Sequence, residues 1–457
     1  MDLTRDEVAA ITGGAARGPD ATARGFAFDS RTLEPGMGFV ALRAERDGHD
    51  FVADAFARGG TLAVVEHVPD SVTGSFVVVD DAHAALRALG SAARDRLPDA
   101  AVVGITGSAG KTSTKDLTAA ALRPTFAVHA SAASFNNEIG LPATLLDAPA
   151  GTDAVVLEMG ARFAGNIAEL CAIARPSIGV ITHIGLAHAE HLGGRDGIAT
   201  VKGEILDSLP ANGLAVLSAD CEYVETLRVR AGVPVLTVGE AAGADVRISE
   251  ITIDADLRAS FRLDSPWGSA DVGLAVRGAY QVANAAQAAS VALHLGVPLD
   301  AVVAALADAG TAAWRMEVTT SAAGVVVLND AYNASPSSMR AAIETFGRLS
   351  VAGRRVAVLG EMRELGPIAA AEHARVGELV ADAEVVTLVT VGPGTDEMAA
   401  AAARRGVTVH RSPDRDAAIH TVRNLIQPGD AVLVKASRLV GLEHVAVALL
   451  QTRADVP

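Results

Sequence analysis

Seven consecutive residues have the clearest chemical potential: Gly107, Ser108, Ala109, Gly110, Lys111, Thr112 and Ser113, at the end of the stretch AVVGITGSAGKTS. Glycines let successive backbone N–H groups turn toward one point, the lysine supplies a mobile cation, and the threonine hydroxyl can hold Mg²⁺. Together they can hold a polyphosphate. The apolar run from Ala101 to Ile105 predicts a buried strand ahead of the turn. The pattern after Ser113 predicts a helix, whose N-terminus adds partial positive charge. The spacing departs slightly from G-x-x-x-x-G-K-[ST], because Ile105 stands at the first glycine position, between Gly104 and Gly107.

Other reactive side chains fall at element ends. DAVVLEMGAR reads as a strand delivering Glu158 to its carboxyl end, where parallel α/β sheets bind ligands. That carboxylate suits Mg²⁺, or a surface ion pair. Asn136 and Asn137 precede an apolar helix in SFNNEIGLPATLL. His183, His188, Glu190 and His191 cluster after a strand, but no cysteine or second group completes a zinc site. Lys202 lies in an apolar helical pattern. An amine there beside metal-binding groups could add CO₂ and become a carbamate, an anionic oxygen ligand, or it could pair with Glu204 or Asp207. Arg315 could hold a γ-phosphate or lie on the surface. Asp330 and Asn333 sit where a ribose could be hydrogen-bonded. Asp29-Ser30-Arg31 offers Ser30 and Arg31 to a diphosphate or a uracil edge, and equally makes a capped turn. His49 reads as structural.

Lysine itself is scarce. Among 38 basic residues the lysines are Lys111, Lys115, Lys202 and Lys435. An amine with pKa about 10.4 is neutral in roughly one molecule in two thousand at pH 7, whereas guanidinium, with pKa about 13.8, is neutral far more rarely. Arginine therefore cannot replace a lysine that must act as a nucleophile.

The elements that must position these groups follow an α/β rhythm. Residues 1–97 alternate short strands with helices and begin with a helix boxed by Thr4 and Glu7 and stopped at Gly13. Residues 98–316 contain the phosphate loop, further strands, and an alternating polar and apolar stretch at 245–277 that predicts an antiparallel appendage. A helix over Gly278–Gly296 carries Asn284 near its start. Residues 317–457 alternate strands with helices, as a parallel sheet requires. At 457 residues, about three domains are expected. A net charge of −16 argues against nucleic acid or an anionic membrane as the main partner. Two cysteines make no disulfide framework, and no apolar run reaches membrane-spanning length, so a cytoplasmic protein without membrane insertion is expected.

Taken together, these stretches resemble the muramyl ligase family over the whole chain. The DSR…PG…FVAL…DGH..F segment is similar to its N-terminal UDP-sugar domain, and GITGSAGKTS to its ATP loop. FNNEIGLP, LEMGAR..GNI, the segment from His188 to KGEI at Lys202, DAYNASPSSM and LGEMRELG resemble one subgroup. Its members add D-alanyl-D-alanine to UDP-N-acetylmuramoyl-tripeptide through an acyl phosphate. The DNP[KR] motif of the relative that adds diaminopimelate or lysine is absent.

The resemblance implies an α/β protein of three domains: an N-terminal α/β UDP-substrate domain over 1–97, a central P-loop ATPase-like parallel sheet with an antiparallel appendage over 98–316, and a C-terminal Rossmann-like domain over 317–457. It implies ATP and Mg²⁺, two ions, as cofactors, a monomer, and the two cell-wall precursors as partners. Lys111 and Thr112 would serve phosphate and Mg²⁺, Glu158 and His188 the metal, and Lys202 would be carbamylated. Asn284, Arg315 and Asp330 would contact ATP. Four positions depart from the subgroup: His183 for the usual Asn, Tyr280-Gln281 for His-Asn, and Trp314 where Gly is common. Two rivals are a ligase for folates or another UDP-peptide, and a nucleotide-binding regulatory module without turnover.

Overall fold

The predicted N-terminal capping box is formed: the Thr4 backbone N–H donates to Glu7 Oε2 at 2.8 Å, the Glu7 N–H donates to the Thr4 hydroxyl, and Gly13 ends the helix at φ +68°. This computed structural model describes residues 1–451 except Ser71, Ala187, His188 and Thr311, and of Ala189 the backbone alone. Behind the first helix stands a five-stranded sheet. Phe26–Ala27, Gly38–Val40, Leu62–Val65 and Phe76–Val78 run parallel, and Ala15–Arg17 closes one edge antiparallel.

The central sheet has nine strands. From one edge they are Val128–Ala130, Ala154–Glu158, Ala101–Thr106, Ile178–Ile181, Leu214–Ser218, Val235–Gly239 and Val246–Ile253, all parallel. Arg258–Ser265 and Gly268–Arg277 then add antiparallel, as the alternation at 245–277 predicts. The parallel strands read as continuous apolar runs because both faces are covered. Lys111–Leu122 and Gln281–His294 cover one face. On the other, Leu86 and Leu89 of helix Ala82–Asp95 share one core with Leu141 and Leu145 of helix Gly140–Leu146. A Cβ added to Gly90 would stand 2.7 Å from Pro142 Cβ, so the two helices touch through their backbones. The apolar core thus continues from the first 97 residues into the central sheet.

The C-terminal sheet runs Glu317–Thr320, Val326–Asn329, Ala431–Lys435, Arg355–Gly360, Thr387–Val391 and Thr408–Ser412. All are parallel except the first, an edge strand whose polar EVTT sequence gives no strand signal.

Candidate active site

The carboxyl ends of the central strands open onto a cavity of about 1100 Å³. Its walls come from all three parts of the chain, including Arg87 from the first, the phosphate loop from the second, and Asp330 and Lys435 from the third. The loop leaves Ala101–Thr106 and enters helix Lys111–Leu122 as expected. Two of its glycines are required by shape. Gly107 has φ +146°, and a Cβ there would lie 2.0 Å from the Thr182 hydroxyl. Gly110 has φ +83°, and a Cβ would lie 2.5 Å from Asn284 Oδ1. The Thr182 hydroxyl donates to the Ala109 carbonyl at 2.6 Å, and the Ser108 hydroxyl to the Gly185 carbonyl at 2.8 Å, so the neighbouring strand end holds the loop.

Side chains converge at the helix N-terminus. The Thr112 hydroxyl donates to Glu158 Oε2 at 2.5 Å, and Asn136 Nδ2 donates to Glu158 Oε1 at 2.7 Å. Arg315 Nη2 donates to the Thr112 hydroxyl at 2.7 Å and its guanidinium stacks 4.2 Å from the Tyr332 ring centre. Lys111 Nζ folds back to donate to the Gly107 carbonyl at 2.8 Å. Desolvation holds the Lys111 amine below its ordinary pKa, against the pull of Glu158 and with the push of Arg315. Lys202 is buried, and desolvation brings its amine down to about 7, with Lys111 adding to the shift and Glu204 and Glu158 opposing it.

The donor set fits Mg²⁺. Glu158 is buried, and among the described residues its carboxylate touches two neutral groups, Thr112 and Asn136, and no cation. A buried carboxylate so placed favours a hard cation with oxygen ligands. His188 lies outside the described residues. His183 lines the cavity, and His191 lies 5.2 Å from Phe163, ring centre to ring centre.

Other expected site residues divide. Asn137, Ser113, Asn284 and Asn333 line the cavity with those already named. Asn284 Nδ2 donates to Gln281 Oε1 at 2.9 Å, and Gln281 Nε2 donates to the Ser113 hydroxyl, so Gln281 supports the loop from behind. Ser30 and Arg31 are not on the cavity wall. Asp29 caps their 3₁₀ turn, and Arg31 donates Nε and Nη2 to the Asp29 carboxylate at 2.9 and 2.6 Å. That bond holds the Asp29 carboxyl down to about 2. The capped turn is therefore present, and Arg31 is largely exposed beside it. His49 is structural: Nδ1 lies 2.6 Å from Asp47 Oδ1 and Nε2 accepts from the Glu66 N–H.

Sequence reasoning missed the local roles of two lysines. Lys115 is buried and donates to the Ser131 and Ala133 carbonyls at 2.5 and 2.7 Å, fixing the strand exit that leads to Asn136. Lys435 is buried against Asp330. Their rarity was the available signal. Trp314 and Met316, either side of Arg315, hold φ +61° and +52°. A left-handed residue other than glycine costs roughly 1–2 kcal/mol.

Residues 105–292 match the family described as Mur ligase middle domain, and residues 314–438 the one described as Mur ligase, glutamate ligase domain. The chain belongs to the Mur ligase family. It is 39% identical to the UDP-N-acetylmuramoyl-tripeptide–D-alanyl-D-alanine ligase of Mycobacterium tuberculosis (strain ATCC 25618 / H37Rv), over 98% of each chain. It is 35% identical to the enzyme of the same name from Escherichia coli (strain K12), again over 98% of each. Among solved structures it is similar to MurF from Acinetobacter baumannii, with TM-score 0.88, 31% identity and 99% of each chain covered. MurF ligase from Thermotoga maritima in complex with ADP aligns with TM-score 0.79 and 28% identity, over 94% of this chain and 97% of that one.

Proposed function

We propose that this protein is an ATP-dependent ligase that adds D-alanyl-D-alanine to UDP-N-acetylmuramoyl-tripeptide in peptidoglycan precursor synthesis. One observation carries the reading: a phosphate loop with Lys111, Thr112, Glu158 and Arg315 at its helix start faces a cavity walled by all three parts of the chain. The full-length likeness to ligases of that name supports it. Residues 1–97 take the UDP-muramoyl-peptide, 98–316 take ATP, and 317–457 close the site as a Rossmann-like ligase domain.

The tripeptide carboxylate attacks the γ-phosphorus of ATP, the bond to the bridging oxygen breaks, and ADP leaves. An acyl phosphate results. Its carbonyl is attacked by the amine of D-alanyl-D-alanine, which loses a proton as the amide forms, and phosphate departs. The first transfer is needed because a carboxylate oxygen is a poor leaving group. Lys111 and Arg315 neutralise charge building on the transferred group, together with the N-terminus of helix Lys111–Leu122. Closure over the cavity keeps water from the acyl phosphate.

Glu158 and Thr112 would hold Mg²⁺, two ions being expected, with His188 as a further ligand. Bound there, the ion would supply charge neutralisation at the phosphates. A neutral Lys202 amine that added CO₂ and gave up a proton would leave a carbamate, an anionic oxygen donor for the same cation. Asn284, Asp330 and Asn333 contact the nucleotide, Asn136 and Asn137 the peptide side, and Ser30 and Arg31 the UDP moiety. Among the described residues no helix is long and apolar enough to cross a membrane. Soluble nucleotide-linked substrates favour a cytoplasmic location, and a monomer is the expected state.

The test is ADP release by purified protein with Mg²⁺, ATP and each precursor. Release that requires both the UDP-tripeptide and D-alanyl-D-alanine supports the reading. Release that requires the UDP-tripeptide but ignores D-alanyl-D-alanine overturns it.

A further inference from the structure

Lys435 ends the Ala431–Lys435 strand in the interior of the C-terminal sheet, and its ammonium has three acceptors. Nζ donates to Asp330 Oδ2 at 2.6 Å, to the Asn333 carbonyl at 2.8 Å and to the Asp330 carbonyl at 3.3 Å. Three donors meet three acceptors, so the group is fully used and buried. The other Asp330 oxygen, Oδ1, accepts from the Met316 backbone N–H at 3.1 Å. The Tyr332 N–H reaches back to the Trp314 carbonyl at 3.3 Å. Residues 314–316 are thus pinned to the Asp330–Tyr332 corner from both sides. Between the pins stands Arg315, flanked by two left-handed residues, with its guanidinium laid on Tyr332 and reaching Thr112. Met316 turns the opposite way, into the C-terminal core.

We propose that Lys435 is a positioning residue: through Asp330 and the 314–316 backbone it sets Arg315 against the phosphate loop. It reaches Arg315 through Asp330, whose carboxylate it shares with the Met316 N–H, and the inference rests on the ligase reading in so far as Arg315 meets a nucleotide phosphate. It also gives Lys435 a reason to remain lysine in a chain that uses arginine nearly everywhere else. A planar guanidinium is too wide to converge on three acceptors around one nitrogen.

The test is a double-mutant cycle of Lys435→Met and Arg315→Ala. It is read as affinity for a non-hydrolysable ATP analogue with Mg²⁺ and as the kcat and KM of ADP release. Each single variant is expected to lose affinity by roughly tenfold, and the double variant to stay within about twofold of Arg315→Ala alone, because the two act through one contact. Turnover should fall in kcat while the KM for the UDP-tripeptide holds. Lys435→Arg should behave like Lys435→Met. Losses that multiply in the double variant, or a Lys435→Met protein that binds and turns over like wild type, would overturn the proposal. If Lys435→Met does not accumulate folded, Lys435→Gln replaces it in the cycle with the same criteria. A wild type that binds the analogue but makes no product overturns the ligase reading instead, and the affinity cycle still decides Lys435.

Discussion

Arg315 and Thr112 are 203 positions apart in the chain, yet the Arg315 guanidinium donates to the Thr112 hydroxyl at 2.7 Å. The first belongs to the segment entering the C-terminal sheet, the second to the phosphate loop. The loop therefore receives a cation from the far side of the cavity. Arg315→Lys keeps the charge but loses the planar stack on Tyr332 and the fixed donor geometry. ADP release should fall by about 10²-fold, chiefly in kcat, as when a single preorganised donor is removed from a reacting site.

The glycine at the helix start allows a sharper test. Gly110→Ala places a methyl group 2.5 Å from Asn284 Oδ1 on a backbone at φ +83°. Nucleotide affinity measured by calorimetry should fall at least about tenfold. Melting should show a loss of about 1–2 kcal/mol from the left-handed alanine alone. Unchanged affinity would mean that the loop does not hold the nucleotide.

Lys202→Ala should abolish ADP release, and short carboxylic acids added to the assay should restore part of it by taking the place of a carbamate. Full activity in the variant would remove Lys202 from the chemistry. Lack of rescue in an inactive, folded variant would count against the carbamate specifically.

The same lysine predicts a pH dependence of stability in CO₂-free buffer. Its folded pKa of about 7 lies below the ordinary lysine value of 10.5, so between those limits the unfolded chain binds more protons than the folded one. Unfolding free energy should then rise as pH rises from about 7 to about 10, and Lys111, lowered by burial, contributes in the same direction. Lys202→Met should flatten that slope in chemical denaturation curves at stepped pH.

The shared core between the first 97 residues and the central sheet predicts mutual dependence. Leu89→Ala empties a fully buried site and should cost about 2–5 kcal/mol. A fragment starting at residue 98 should expose the helix Gly140–Leu146 face and aggregate, as light scattering would reveal.

Much of this was readable from residue order. The loop from Gly107 to Ser113, the strand ending at Glu158, the antiparallel stretch and the parallel rhythm of the C-terminal sheet depend on local pattern, and local pattern survives in sequence. The capped turn at Asp29 was equally local, an acid two residues ahead of the N–H it caps. The edge strand Glu317–Thr320 was hidden because it is four residues long and carries one apolar side chain, Val318, which packs on the C-terminal core. Asp330 was legible as a strand-end acid but its partners were not: Lys435 is 105 positions away and Met316 is met through its backbone, which carries no side-chain signature. The continuity of the core across residue 97 was invisible for the same reason, since an apolar helix face does not say which sheet covers it.

The four lysines have one more consequence. Lys115, Lys202 and Lys435 are each 2% exposed, and Lys111 is half-covered with its amine turned onto Gly107. A succinimidyl ester finds no lysine standing free in solvent. Each acylation event at a lysine must wait for the cleft or its walls to part, so mass spectrometry of slow labelling becomes a clock for that opening, with nucleotide expected to stop it at Lys111 first.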